Sequence, residues 1–300
     1  MHKFFMLTKR NVKLFFKDKG MFFTALVNPI ILLALYAIFL GDVYRDAYVS
    51  NIKGVELSET ILDALVGGQL ISSILSVSCV TVAFCSNCIM VQDRVNGTIK
   101  DLKMSPVRSA TLSLSYYVST LISTLIICFT ATAISLVYMS CVGWYMTFGD
   151  VLLLFLDVLV LSLFGTALSS IVNHFLSSQG QMSAVSSIIT VGYGFLCGAY
   201  MPISSLNQTL QNILVYMPGT YGTSLIRTHA MQGLFGELES IGVPDSLMLK
   251  MKDTIDCAPE LFGKTVTIPG MYLILGVSIV VLVGAYILLN TIKKKRIKKK

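Results

Sequence analysis

Asp157 is the one acid set well inside an apolar stretch of this chain. A carboxylate there can hold a proton, meet a cation or engage a substrate, because an ionised group in lipid is costly unless partnered. It lies seven residues beyond Asp150, about 10 Å along a helix. A Ser or Thr from a neighbouring span is its expected partner. Arg227 and His229 come later, where they would meet anionic cargo or lipid, or sit as a solvated pair. His2, His174 and His229 fall in three different regions, and GxxxxGK[ST], HExxH and GxSxG are all missing. No catalytic or metal-binding residue is therefore assigned, and any use of ATP needs a separate subunit. Of the seven Cys, Cys85 and Cys88 form a CxxC with no second pair or nearby His, and read as small packing residues. Only Cys257 lies clearly outside the apolar stretches, which argues against a disulfide framework.

A second kind of chemistry, docking, is suggested by Gln92–Ser109, QDRVNGTIKDLKMSPVRS, a polar island between two long apolar segments. It reads as a short helix. Thr98 and Asp101 have the spacing of a capping box, Ile99 and Leu102 give a small apolar face, and Pro106 stops the helix.

These residues need a membrane scaffold. The chain is 54% hydrophobic and 13% charged, where a soluble domain carries about 25% charge. Six segments are long enough to span: Phe22–Leu40, Leu65–Val91, Leu112–Met139, Val151–Val172, Ser183–Met201 and Met271–Asn290. The fold class is thus an all-α integral membrane protein with six transmembrane helices. The first apolar run starts too late and is too long for a signal peptide, and is expected to remain in the mature protein.

Charge sets the orientation. Residues 1–20, 92–111 and 291–300 carry net +5, +2 and +7, whereas 41–64 and 202–268 carry −3 and −2. Lys/Arg enrichment marks the cytoplasm, so both termini face inward. The tail KKKRIKKK reads as a topology signal and an attraction to anionic lipid. Residues 1–20 form an amphipathic interfacial helix, with Phe4, Leu7, Leu14 and Phe15 toward lipid and Lys3, Lys9, Arg10, Lys13 and Lys17 around the remainder. Residues 21–300 form the membrane domain, with the segment 92–109, the segment 202–268 and the basic tail 291–300 outside its spans.

Small and weakly polar residues recur at three- and four-residue steps: Gln69, Ser72, Ser76, Cys79 and Ala83 in the second span, Thr120 and Thr124 in the third, Gly194 and Gly198 in the fifth. Such stripes pack helices closely. Alternatively Ser72, Ser76, Thr120, Thr124 and Asp157 line a path for amphiphilic cargo. Between Pro202 and Pro218, Ile203, Leu206, Leu210, Ile213 and Leu214 form a stripe too short to span, read as paired short helices dipping into the outer leaflet. Pro218-Gly219 is expected to interrupt the helix that follows. Residues 234–268 are the most soluble part, with one amphipathic helix over Pro244–Ile255.

Two of these regions carry a family resemblance. The acid–Arg pair, Gly-Thr, short amphipathic turn and Pro-Val resembles the segment after the second span of type-2 ABC transporter permeases. The resemblance implies that Asp93, Arg94, Gly97, Thr98, Asp101, Leu102 and Pro106 belong to the helix that touches the ATPase. The G-x-x-x-P…L…P-x-x-Y arrangement is similar to the same family's re-entrant gate, with Gly198, Pro202, Leu206, Pro218 and Tyr221 as the matching positions. Implied with it are two ABC ATPase subunits, which bind ATP and Mg, and a second permease copy or paralogue. This chain itself needs no cofactor. Also implied is export of a drug, antimicrobial peptide or lipid across the plasma membrane, with lipid-linked polysaccharide as the next choice. An ion-coupled secondary transporter centred on Asp157 is the rival from another class; it requires further intramembrane charge. A membrane-embedded enzyme ranks third.

Overall fold

A computed structural model describes residues 2–51, 58–105, 107–261 and 264–297. Helix α1 (His2–Lys17) is followed by α2 (Lys19–Leu35), whose first turn Asp18 caps by accepting from the Met21 N–H at 3.1 Å. The two helices meet at 73°. Beyond α2 the chain passes through a π-helical turn, Tyr36–Leu40, into α3 (Gly41–Asn51). Next come α4 (Glu59–Val95), α5 (Thr98–Met104), α6 (Ser109–Val142), α7 (Phe148–Phe175) and α8 (Gln179–Leu196). A 3₁₀ turn (Ile203–Ser205) leads to α9 (Gln208–Leu214), α10 (Pro218–Ser240) and α11 (Asp245–Thr254). A two-residue hairpin, β1 (Glu260–Leu261) with β2 (Lys264–Thr265), precedes α12 (Ile268–Ile297).

The axis of the bundle is α4. Its 37 residues reach about 55 Å at 1.5 Å per residue, and its most apolar stretch is wholly enclosed. The small-residue stripe explains how. A Cβ on Gly165 of α7 would fall 2.8 Å from the Cys79 carbonyl oxygen, so α4 and α7 touch backbone to backbone. Asn87 of α4 donates to the hydroxyls of Ser169 and Ser170 of α7, both at 3.1 Å. Other hydroxyls return to their own helix, as Ser76 does to the Ser72 carbonyl at 2.6 Å and Thr132 to that of Cys128 at 2.8 Å.

Among the described residues, four helices are long and apolar enough to cross a membrane: α4, α6, α7 and α12. There are five if the bent α1–α2 pair counts as one span. The sequence reading of six differs at two places. The stretch Phe22–Leu40 is divided between α2, with Pro29 inside it, and the π turn. The stretch Ser183–Met201 shortens to α8, which ends at Leu196 because Gly198 turns left-handed at φ 72°. The chain then folds back so closely that a Cβ on Gly194 would lie 2.3 Å from the Tyr200 ring. Gly194 and Gly198 therefore form no interhelical GxxxG face.

Helix α1 also departs from a simple lipid-facing design. Thr8, Asn11 and Phe15 are its buried positions, and α6 is its main packing partner. Phe5, Met6 and Leu14 stay exposed. The amphipathic helix expected near 244–255 is α11, with Met248, Met251 and Ile255 buried.

Candidate functional site

Asp93 and Arg94 fold into the last turn of α4, one residue short of its end, and both point into the bundle. Asp93 accepts both ends of the Arg10 guanidinium, at 2.7 and 2.9 Å, and the Tyr116 hydroxyl at 2.6 Å. One carboxylate thereby ties α4 to α1 and α6 in a bidentate arrangement. Arg94 reaches the other way. Its Nη1 donates to the carbonyls of Asn173 at 3.3 Å, His174 at 2.9 Å and Leu176. A cation there satisfies orphan carbonyls at the C-terminus of α7. Asp93 and Arg94 are thus internal braces, not members of the surface helix.

The surface helix is α5. Gly97 adopts φ 81° at its N-cap, and a Cβ there would meet nothing, so glycine is required by backbone conformation alone. Thr98 is the first helical residue, and no side chain caps the helix. The capping box between Thr98 and Asp101 therefore does not form, because the cap position falls one residue earlier. Ile99 and Leu102 are half-buried and Leu102 packs on the core; Lys100, Asp101 and Met104 are exposed, Met104 to 80%. The Ser105 hydroxyl closes the helix by donating to the Leu102 carbonyl at 2.6 Å. Pro106 lies outside the described residues.

At the opposite end, one of the five positions expected to form a gate, Gly198, offers its carbonyl to a buried cation. Arg227, fully buried in α10, donates to the carbonyls of Ile255 and, at 2.9 Å, Gly198. It pairs with Asp256 at 3.6 Å. Asp256, at φ 54°, accepts from the Ile203 and Ser204 N–H groups, capping the 3₁₀ turn. Burial raises the Asp256 pKa above the ordinary carboxylate value, and Arg227 opposes that shift. A Cβ on Gly198 would sit 2.9 Å from Ile203. Pro202 and Leu206 flank the same turn. Pro218 does not break a helix but starts one, in the first turn of α10 where its missing N–H costs nothing. Tyr221 is buried one turn further along.

The expected solvated pair of Arg227 and His229 is overturned: both are buried, His229 to within 2%. His229 Nδ1 lies 2.6 Å from Asp157 Oδ2, and the Tyr272 hydroxyl donates to Asp157 Oδ1. The partners of Asp157 are thus an imidazole from α10 and a phenol from α12, not a Ser or Thr. Sequence reasoning missed α10 as a buried helix. The available signal was its small residues. A Cβ on Gly68 of α4 would press Met231, one on Gly222 would press Leu161 of α7, and one on Gly233 would overlap the Tyr145 carbonyl. Ser72, Ser76, Thr120 and Thr124 are all buried between α4 and its neighbours, and none lines the cavity described next, between α2, α4 and α8.

This cavity, of about 390 Å³, opens between α2, α4 and α8. Its walls mix Met21, Met182 and Val191 with Thr24, Cys85, Cys88, Gln92 and Ser186. Such a lining suits an amphiphile, with scattered hydrogen-bonding groups in an apolar setting.

The ABC-2 type transporter family model matches residues 2–230, from α1 through Ala230 of α10. No curated protein and no solved structure matches the chain significantly. The match covers the braces, α5, α7 with Asp157 and the first part of α10 with His229, but not α12. With its long apolar helices, this chain is a multi-pass membrane protein and belongs to the ABC-2 type transporter family as a permease.

Proposed function

We propose that the chain is the permease subunit of an ATP-driven exporter that moves a hydrophobic or amphiphilic substrate outward. Its partners are two ABC ATPase subunits, which carry ATP and Mg, and a second permease copy or paralogue. The observation that carries this reading is α5. It is a seven-residue helix with Lys100, Asp101 and Met104 exposed, mounted on a turn of α4 that is braced to α1, α6 and α7. A push on α5 is thereby delivered to most of the bundle. Packed elements of this kind move as rigid bodies. In the same reading α2 with its π turn and α8 complete six spans, both termini are cytoplasmic, and the turn held by Arg227 gates the outer end.

A pulldown of the tagged chain in mild detergent, with partners identified by mass spectrometry, tests this. A stoichiometric P-loop ATPase, lost on deleting residues 95–108, is the expected result. A chain that transports in vesicles with no ATPase would sink it. The cavity beside Gln92 supports an amphiphilic cargo, a drug, antimicrobial peptide or lipid, ahead of a lipid-linked polysaccharide.

One observation favours a second reading, an ion-coupled secondary transporter. Asp157, His229, Arg227 and Asp256 supply more buried ionisable groups than the sequence suggested. Asp157→Asn discriminates. Under the ABC reading it leaves ATPase binding and the pH dependence of transport unchanged. Under the ion-coupled reading it abolishes coupling to a proton gradient. Cysteine labelling adds a check on topology. Cys141 is exposed, whereas burial pushes the Cys257 thiol up to about 12. An impermeant maleimide applied from outside is expected to label Cys141 and spare Cys257.

A further inference from the structure

At the α5 end of the bundle a groove of about 340 Å³ separates the start of α6 from the last apolar turns of α12. That volume is within the range of small-molecule pockets, about 300 Å³ upward. One wall is Ser109, Ser113, Leu114 and Tyr117; the other is Val283, Tyr286, Ile287 and Asn290. The helices run antiparallel, so Arg108 and Asn290 share the mouth, and Tyr117 and Val283 share the deep end. From Ser109 to Tyr117 the groove descends about 12 Å at 1.5 Å per residue. Its floor is closed by Tyr286, buried to 3%, whose hydroxyl donates to the Ser113 carbonyl at 3.4 Å. Its side is open through Leu114 and Ile287, exposed to 46% and 48%.

We propose that this groove binds an anionic phospholipid, with the headgroup phosphate at Arg108 and an acyl chain laid along Leu114, Ile287 and Val283. Charge complementarity selects the occupant. Among the described residues of the lining, Arg108 is the one that carries charge, and no carboxylate joins it. Arg108 also sits at the N-cap of α6, a 34-residue helix whose positive end faces the mouth. Beyond Asn290 the sequence carries seven basic residues in ten and no acid. Basic pockets between transmembrane helices on the cytoplasmic side recognise such headgroups. The lateral opening toward the bilayer suits a molecule with a tail, and a soluble anion would leave the apolar walls bare. A lipid held there fixes the point where the chain re-enters the bundle after α5.

The test uses the full-length chain, purified in neutral detergent and given equal phosphatidylglycerol and phosphatidylcholine before native mass spectrometry. Retention of phosphatidylglycerol several-fold above phosphatidylcholine is expected. Arg108→Gln is expected to lower it about fivefold, the effect of one basic residue at an anionic surface. Leu114→Trp fills the groove without changing charge and is expected to remove the same adduct. Ile287→Trp replaces it if thermal unfolding shows that Leu114→Trp does not fold. Equal retention of the two lipids would overturn the proposal. So would loss on deleting residues 293–300 with no effect of Arg108→Gln. Displacement by millimolar inorganic phosphate, with Leu114→Trp silent, would assign the site to a free anion and overturn it as well.

Discussion

Among the Arg–Asp pairs of the described residues, two that are at least partly buried lie at opposite ends of one bundle and are built on different plans. Arg10–Asp93 joins side chain to side chain, bidentate at 2.7 and 2.9 Å, with the Arg10 side chain about one-third exposed. Arg227–Asp256 is a looser contact of 3.6 Å around a guanidinium with no exposure. Most of its hydrogen bonds go to main-chain groups: the carbonyls of Ile255 and Gly198 and the N–H groups of Ile203 and Ser204. The first pair connects helices that are already formed. The second organises irregular backbone that no helix or strand would otherwise satisfy. Breaking the first should therefore weaken transmission between helices, and breaking the second should weaken the fold itself.

The largest effect is expected at Arg227. Arg227→Met leaves Asp256 without its cation and two carbonyls without a donor, and losing one partner of a buried pair costs about 3–5 kcal/mol. Thermal unfolding in detergent checks it. The pH response adds a second signature. Burial already raises the Asp256 pKa and Arg227 restrains that rise, so without Arg227 it rises further. A carboxyl that holds its proton more tightly in the folded state stabilises the fold as pH falls. The variant is thus expected to recover stability on acidification from neutral pH toward the ordinary carboxylate value, by more than the parent chain does. A flat pH response would mean that the pair does not organise the outer loop.

Asp93→Asn comes next, at about 2 kcal/mol for the loss of charge-assisted hydrogen bonds. Stability is the lesser readout here. With the Arg10 and Tyr116 contacts weakened, α1 and α6 no longer follow α4. ATP hydrolysis by the reconstituted complex should then continue while transport falls. Equal loss of both activities would place Asp93 on the same footing as Arg227 and erase the contrast between the two ends.

How much of this was legible in the sequence follows the same division. The polar island at 92–109 was readable because it interrupts apolar runs, and α5 is found inside it. Its braces were not, since Arg10 and Tyr116 lie 83 and 23 residues from Asp93 and nothing local pairs them. The long apolar helices were readable from length and composition. By contrast, α10 was hidden: it carries Arg227, His229, Glu237 and Glu239, so it looks soluble, yet most of it is buried. Periodicity detects a helix with one wet face; a helix enclosed by α4, α7 and α12 presents no such contrast. The partners of Asp157 were missed for that reason, because both come from helices whose register cannot be read from their own residues.

The smallest effect on stability, and the sharpest test of the comparison, belongs to α5. Lys100→Ala and Met104→Ala change exposed side chains with no structural partner among the described residues, and such surface substitutions stay within about 0.5 kcal/mol. Unfolding should therefore be indistinguishable from that of the parent chain. If α5 is the face that meets the ATPase, the pair of substitutions removes a cation and a large apolar side chain from a seven-residue contact. Affinity for the ATPase should fall, because losing an interface anchor typically costs more than 1 kcal/mol. A titration of ATPase against the chain in nanodiscs measures it. The informative outcome is the combination: native stability with weakened binding separates a docking helix from a brace, since Asp93→Asn is expected to preserve binding and lose transmission. Unchanged binding would leave the braces in place but deprive them of anything to transmit, and the role of α5 would have to pass to another exposed segment at the same end.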